Sequence, residues 1–258
     1  MSANLLNILG IEITTESRAQ ITAQLREWLT ERTPRQIVTV NPEILVAASH
    51  SKRSRQLIDQ ADLRVADGAG ILLVARLFRL PAPERLTGID LVDILCGLAA
   101  DLGRSVYLLG GAAGVAQAAA AALQRRHPSL RITADEGVPK LTDARFQALD
   151  PSMDEAHVIQ RIAATKPGVL CVAYGHPKQE AFIAEHTDQL AASVMIGVGG
   201  TFDFLAGRIP RAPQLFQRLG LEWLWRLIVQ PWRLKRIWTA TVVFPWLVIR
   251  ERLWPQAH

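Results

Sequence analysis

The sequence predicts an α/β fold, a mostly parallel sheet with helices on both faces, followed by a helical, basic, Trp-rich C-terminal appendage. Three observations predict it. Short β-branched runs alternate with segments of helical period along most of the 258 residues. Most of those runs are continuously apolar over several residues, as in strands buried on both faces. Charge and tryptophan are concentrated at one end: from residue 208 onward nine Lys/Arg face two Glu, and six of the seven Trp lie there. The chain therefore divides into a body over 1–207, with net charge −2, and an appendage over 208–258, with net charge +7.

Taken in order, RQIVTV (35–40) is the first strand. It runs into Asn41-Pro42-Glu43, a helix start with Asn at the N-cap and Pro at the first helical position. LRVA (63–66) is the second strand, and a helix over 70–79 follows it. Apolar residues at 91, 92, 95, 98 and 102 repeat with the period of a helix over 89–102. SVYLLGG (105–111) is a buried strand ending in a glycine turn, and an Ala-rich helix runs from Gly114 to Arg126. LRITAD (130–135) is a further strand, and 136–152 reads as a loop. A helix over 153–164 precedes the strand GVLCVAYG (168–175), and a helix over 177–190 precedes SVMIGVGG (193–200). This order is Rossmann-like.

Composition narrows the function classes. With 49% apolar residues a packed core is expected. Two distant cysteines, Cys96 and Cys171, make no disulfide framework and read as buried packing. The N-terminus lacks a basic segment and a long apolar run, so no signal peptide is expected. No window is apolar enough to span a bilayer, and a cytoplasmic protein is the expectation. Neither a Cys/His cluster, an Asp-x-Asp pair nor a G-x-S-x-G elbow is present, so no metal and no cofactor are expected.

Parallel sheets bind ligands beyond the carboxyl ends of their strands. Asp67 ends the LRVA strand, and Thr39, Asn41, Gly110, Gly111, Gly175 and the Gly199-Gly200 turn also lie at strand ends, where all could line one crevice. Asp67 reads either as a helix-capping aspartate or as a general base, ionised at neutral pH and able to accept a hydroxyl proton. Gly68 and Gly70 would let a sugar or phosphate approach the backbone. The Gly110-Gly111 turn suits a phosphate at a helix N-terminus. With Asp135 at the next strand end it also raises an NAD-type oxidoreductase, although G-x-G-x-x-G is absent. In YGHPKQEAF (174–182), Lys178, Gln179 and Glu180 open a helix. The ammonium would suit a diphosphate and the two polar groups a base or ribose, or all three are an ordinary solvated helix start. Asp203, between two phenylalanines, reads as a bracing or a second site carboxylate.

In the appendage, Leu215, Leu219, Trp223 and Leu227 recur every four residues, and Pro231 ends this helix and starts another carrying Arg233, Lys235 and Arg236. Trp beside Arg suits an interfacial helix on an anionic membrane surface. The same pattern is open to a helical pair packed on the body, and to RNA binding, for which no motif is present. Removal of the chain from Leu215 onward is expected to leave a more soluble body. An exposed apolar tail could also be covered by a neighbouring subunit, giving a homo-oligomer.

The stretches TVNPEILVAA (39–48), ADGAGILLVARL (66–77), ERLTGIDLV (84–92), VYLLGG (106–111), YGHPKQEAFI (174–183), GVGGTFDFLAG (197–207) and RAPQLFQRLGLEWLWRL (211–227) together resemble the WecG/TagA/CpsF family of bacterial glycosyltransferases. The resemblance implies inverting, metal-independent transfer from a UDP-sugar, typically UDP-N-acetylmannosamine, to a polyprenyl-diphosphate-linked sugar at the inner face of the cytoplasmic membrane. It implies that Asp67 is the base, that Thr39 and Asn41 line the pocket and that Gln179 helps hold the donor. It also implies that Arg226, Arg233 and Arg236 approach the membrane and the diphosphate. His176 stands where the family usually has a small residue, and EGVP (136–139) lacks the Gly-Tyr often found there. A glucosyl or uronosyl donor is therefore admitted. A non-enzymatic nucleotide-sugar-binding module is the remaining rival.

Overall fold

A computed structural model describes residues 5–137, 155–210, 212–213, 216 and 222–253. Six strands form one sheet: β3 (Arg35–Val40), β4 (Leu63–Ala66), β5 (Ser105–Gly110), β6 (Arg131–Asp135), β7 (Val169–Ala173) and β8 (Val194–Gly197). Their order is β4-β3-β8-β7-β5-β6. The registered pairs β3–β8, β8–β7, β7–β5 and β5–β6 are all parallel. All six correspond to the expected strands, and helices flank the sheet, as the apolar runs require. The expected loop 136–152 lies almost wholly outside the described residues.

The chain forms two compact units, and neither is a sequential block. The first comprises Met1–Ser17, Thr39–Thr87 and Arg211–His258; the second comprises Arg18–Val38 and Gly88–Pro210.

The second unit contains α1 (Arg18–Glu31), α5 (Gly88–Asp101), α6 (Val115–Arg126), α7 (Glu155–Thr165), α8 (Lys178–Leu190) and the short α9 (Thr201–Leu205), with four of the parallel strands. Its core includes Tyr107, Leu109, Val158, Ile162, Leu170, Val172 and Met195, all buried. Cys171 is fully buried on β7 and Cys96 is buried on α5. Burial pushes the Cys96 thiol up to about 12 and that of Cys171 well above its usual value. Neither thiol is poised to ionise as a nucleophile would.

The first unit begins with a hairpin, β1 (Leu5–Ile8) and β2 (Ile11–Thr14), whose antiparallel register pairs Leu5 with Thr14 and Ile8 with Ile11. Leu9 and Gly10 both have positive φ, 51° and 76°, as a two-residue hairpin turn requires. Helices α2 (Pro42–His50), α3 (Lys52–Asp59) and α4 (Ala69–Leu77) follow. Asn41 caps α2 as expected: its Oδ1 accepts the Ile44 N–H at 3.0 Å, and Pro42 takes the first helical position.

The same unit carries α10 (Glu222–Val229), a 3₁₀ turn at Pro231–Arg233, α11 (Leu234–Trp238), a π-helical turn at Thr239–Val243 and α12 (Phe244–Leu253). Pro231 opens the 3₁₀ turn, as its missing N–H and fixed φ favour. The π turn and α12 pack on α2, and α12 also packs on α4. Phe244, Leu247 and Val248 are buried there. Glu251 Oε2 accepts the Leu9 N–H at 3.2 Å, and Arg252 donates to the Asn7 carbonyl at 3.3 Å. These contacts weigh against the expectation that removal of the chain from Leu215 onward leaves a more soluble body. Deleting it would strip α2, α4 and the hairpin of their cover. Leu215 and Leu219 themselves lie outside the described residues.

Candidate active site

In the first unit the carboxyl ends of β3 and β4 lie together. The Asp67 N–H donates to the Val40 carbonyl at 2.7 Å, so Asp67 stands beside Thr39, which is buried, and Asn41. The N-cap of α4 is Gly68, with φ +115°, a conformation that L side chains rarely adopt. The capping position that the sequence offered Asp67 is therefore held by its neighbour. Both glycines make room for the Pro42 ring: a Cβ at Gly68 would lie 3.2 Å from Pro42 Cδ, and one at Gly70 would lie 3.0 Å from Pro42 Cγ.

The basic appendage reaches the same corner. Arg236 Nε donates to Glu43 Oε2 at 2.5 Å, and Glu43 is in the first turn of α2, two residues past Asn41. This acid reads in sequence as ordinary helix-start charge, and its role in tethering Arg236 was not legible there. Arg85 pairs with Glu222 at 2.6 Å, tying α10 to the segment after α4. Arg233 lies in the 3₁₀ turn; Arg226 is on α10, and its side chain lies outside the described residues. Trp232, Trp238 and Trp246 are 74%, 59% and 55% exposed, and Arg250 stacks over the Trp246 ring with 4.8 Å to its centroid. Among the described residues no helix is long and apolar enough to cross a membrane.

In the second unit the β7–α8 turn is built around Gln179. Its Oε1 accepts the N–H groups of Gly175 at 3.0 Å and Gly199 at 2.9 Å, and its Nε2 donates to Glu180 Oε1 at 2.8 Å. Glu180 Oε2 lies 3.0 Å from His176 Nδ1. Glu180 is 1% and His176 15% exposed, so the carboxylate is held in the interior by the imidazole and the amide. The sequence suggests donor contacts for Gln179 and Glu180. The geometry gives both side chains internal partners, bracing the Gly175 turn against the Gly199 turn. Lys178 is at the first position of α8 and half-buried. The His176–Glu180 pairing was not legible, because the turn that aims the ring back at its own helix has no sequence signature.

Gly110 and Gly111 end β5 with φ of 92° and 91°, and a Cβ at Gly110 would meet the Tyr174 ring at 2.8 Å. The α6 N-terminus is already served by an anion: Gly114 N–H donates to Glu136 Oε1 at 2.8 Å. Asp203 lies within α9, half-buried, and its carbonyl accepts the N–H of Arg208 at 2.9 Å.

Asp135, the residue a dinucleotide ribose would need, is engaged on both oxygens. It accepts from Arg161 at 2.8 and 3.1 Å, from Tyr107 Oη at 2.6 Å and from Gly137 N–H at 2.8 Å. Burial pushes its carboxyl up, but the hydrogen bonds from Arg161, Tyr107 and Gly137 outweigh that and hold it below its ordinary 3.8. Burial and the Asp135 hydrogen bond push the Tyr107 hydroxyl the other way. Because the folded carboxyl titrates below the unfolded one, its stabilisation is complete above the unfolded value and lost as pH falls through the folded one. Arg161→Gln is therefore expected to destabilise the protein at neutral pH by about 1 kcal/mol, a discounted figure because the guanidinium is 43% exposed. Urea midpoints should differ at pH 7 and converge as the carboxyl protonates.

Among the described residues no three His, Cys, Asp or Glu side chains gather as metal ligands. Residues 6–258 match the model of the glycosyl transferase WecG/TagA/CpsF family. An N-acetylglucosaminyldiphosphoundecaprenol N-acetyl-beta-D-mannosaminyltransferase of Staphylococcus aureus (strain NCTC 8325 / PS 47) is 32% identical over 234 residues, which cover 90% of this chain and 87% of the relative. The protein of the same name from strain MRSA252 matches with the same identity and coverage.

Proposed function

Because this chain belongs to the glycosyl transferase WecG/TagA/CpsF family, we propose that it moves a sugar from a UDP-sugar to a polyprenyl-diphosphate-linked acceptor in cell-envelope or exopolysaccharide synthesis. The observation that carries the reading is a match running over residues 6–258, joined by relatives whose name specifies a diphosphoundecaprenol acceptor. The donor in this reading is UDP-N-acetylmannosamine or a glucosyl or uronosyl relative of it.

The chemistry is a single displacement. Asp67 takes the proton of the acceptor hydroxyl as that oxygen attacks the anomeric carbon. The bond from that carbon to the diphosphate oxygen breaks, and the electron pair leaves with UDP. Support for Asp67 is its place beside Thr39 and Asn41, with the helix-capping position taken by Gly68. Thr39 and Asn41 line the acceptor side. Arg226, Arg233 and Arg236 supply positive charge to diphosphate groups in place of a metal, a substitution that needs only fixed cations near the developing charge. Gly110, Gly111, Gly175 and Lys178 are the candidate backbone and ammonium donors to the nucleotide, and Asp203 a candidate polar contact. Gln179 and Glu180 act by holding the Gly175 turn in shape, which their internal hydrogen bonds support.

The exposed Trp232, Trp238 and Trp246 beside Lys and Arg support peripheral attachment to an anionic membrane at its cytoplasmic face. A long lipid acceptor gives a reason for such a surface. The oxidoreductase rival is weakened by Asp135, whose oxygens already serve Arg161, Tyr107 and Gly137.

The test is a panel of UDP-sugars incubated with the full-length protein and a short-chain polyprenyl-diphosphate-linked N-acetylglucosamine, with and without EDTA. UDP release that needs both the acceptor and one donor, and is indifferent to EDTA, is the expected result. Donor binding without turnover would favour a binding module, and hydride exchange with NAD would favour the oxidoreductase.

A further inference from the structure

We infer that α4, the helix that follows Asp67, is a second membrane-contacting element, entering the headgroup boundary of an anionic bilayer through Leu73 and Leu77. The inference rests on the membrane reading above but concerns a part of the chain outside the basic appendage.

Helix α4 is amphipathic in an unusual sense. Its inner face, Ile71, Val74 and Ala75, is buried as a core helix requires. Its outer face is not polar: Leu73 and Leu77, one turn apart, are each 65% exposed, with the exposed Arg76 between them and the exposed Arg79 just beyond. Two large aliphatic side chains on one exposed turn mean something when they join a larger patch. The helix they stand on packs on α12, which carries exposed apolar side chains of its own. At that junction a Cβ on Gly70 would lie 3.8 Å from Phe244 Cε1. Helix α12 and the π turn before it add the exposed Val242, Trp246, Ile249 and Leu253, with Arg250 and Arg252 beside them.

Charge decides the occupant. From Ala69 to Leu80 the chain holds Arg76 and Arg79 and no acid. On α12 the one acid, Glu251, is engaged with the Leu9 N–H. Aliphatic and Trp side chains flanked by Arg fit acyl chains with anionic headgroups above them, the long Arg stems reaching back to the phosphates. A second copy of this chain would bring the same positive charge against itself.

The consequence for chemistry is one of height. Helix α4 rises about 12 Å from Ala69 to Leu77. With its C-terminal end in the boundary, Asp67 at the other end would stay within reach of a sugar carried on a membrane-embedded diphosphate.

The experiment uses the full-length protein and vesicles of phosphatidylcholine with phosphatidylglycerol, or of phosphatidylcholine alone. Wild type, Leu73→Glu/Leu77→Glu and Trp232→Ser/Trp238→Ser are compared by co-sedimentation, with thermal melts to confirm folding. The leucine variant should lose at least about tenfold in partitioning onto the anionic vesicles while melting as wild type does. Its transfer to a short-chain, water-soluble acceptor should be unchanged. Undiminished partitioning of that variant beside a bound wild type overturns this inference and leaves the membrane reading standing. A wild type that stays in the supernatant overturns both. If the leucine variant partitions normally but breaks up a dimer in sedimentation velocity, the face belongs to a second copy and the inference is wrong.

Discussion

Replacing Asp67 by Asn is expected to lower kcat for sugar transfer by about 10²–10⁴-fold while leaving UDP binding close to that of the unmodified protein. The amide matches the carboxylate in size but cannot take up the acceptor proton. The contact joining the ends of β3 and β4 uses the Asp67 backbone N–H and the Val40 carbonyl, so it survives the change. Gly68, not Asp67, occupies the N-cap position of α4. Calorimetry with UDP and initial rates with a lipid-linked acceptor separate the two quantities. A rate within about tenfold of wild type would remove Asp67 from the role of base, since a positioned base contributes more than that.

The second large effect is on stability. Phe244→Ala should cost about 3–5 kcal/mol, because the ring is fully buried and its removal leaves a cavity that α2, α4 and α12 cannot close without shifting. Transfer should fall with it near the shifted melting temperature, since α2 carries the Asn41 cap and α4 begins two residues after Asp67. The measurement is a urea titration without lipid. A loss under about 1 kcal/mol, the size of an ordinary surface substitution, would mean that α12 is a detachable appendage after all.

That contrast shows where sequence reading reaches and where it stops. The inner strands of the parallel sheet were legible as short, largely apolar runs, the edge strand β6 (RITAD) as a short alternating one, and the Asn41-Pro42 cap because capping is local. Helix α1 carries a usable signal, with Ile21, Leu25, Trp28 and Leu29 at helical spacing and all buried. The β1–β2 hairpin was missed because a Leu-Gly turn is a weak punctuation mark.

The site divides in the same way. Asp67, Thr39 and Asn41 could be placed at strand ends from the sequence alone. The bracing role of Gln179 could not, because one of its two backbone partners, Gly199, is twenty residues away. Nor could the Arg236–Glu43 pair, which spans 193 residues. The sequence left open whether the apolar tail meets a membrane or packs on the body; Phe244, Leu247 and Val248 are buried by long-range packing that no local pattern announces.

The role of Asp67 is tested most directly by the stereochemistry of one product. A UDP-sugar carries its sugar in the α configuration, so direct attack by a hydroxyl activated at Asp67 gives a β linkage, whereas a carboxylate acting as nucleophile would pass through a glycosyl-enzyme and retain the α form. NMR of the anomeric proton and carbon in the lipid-linked product of the wild-type protein decides between them. Inversion to the β anomer is the expected result; an α-linked product, or a sugar trapped covalently on Asp67, would contradict the role of Asp67 as base.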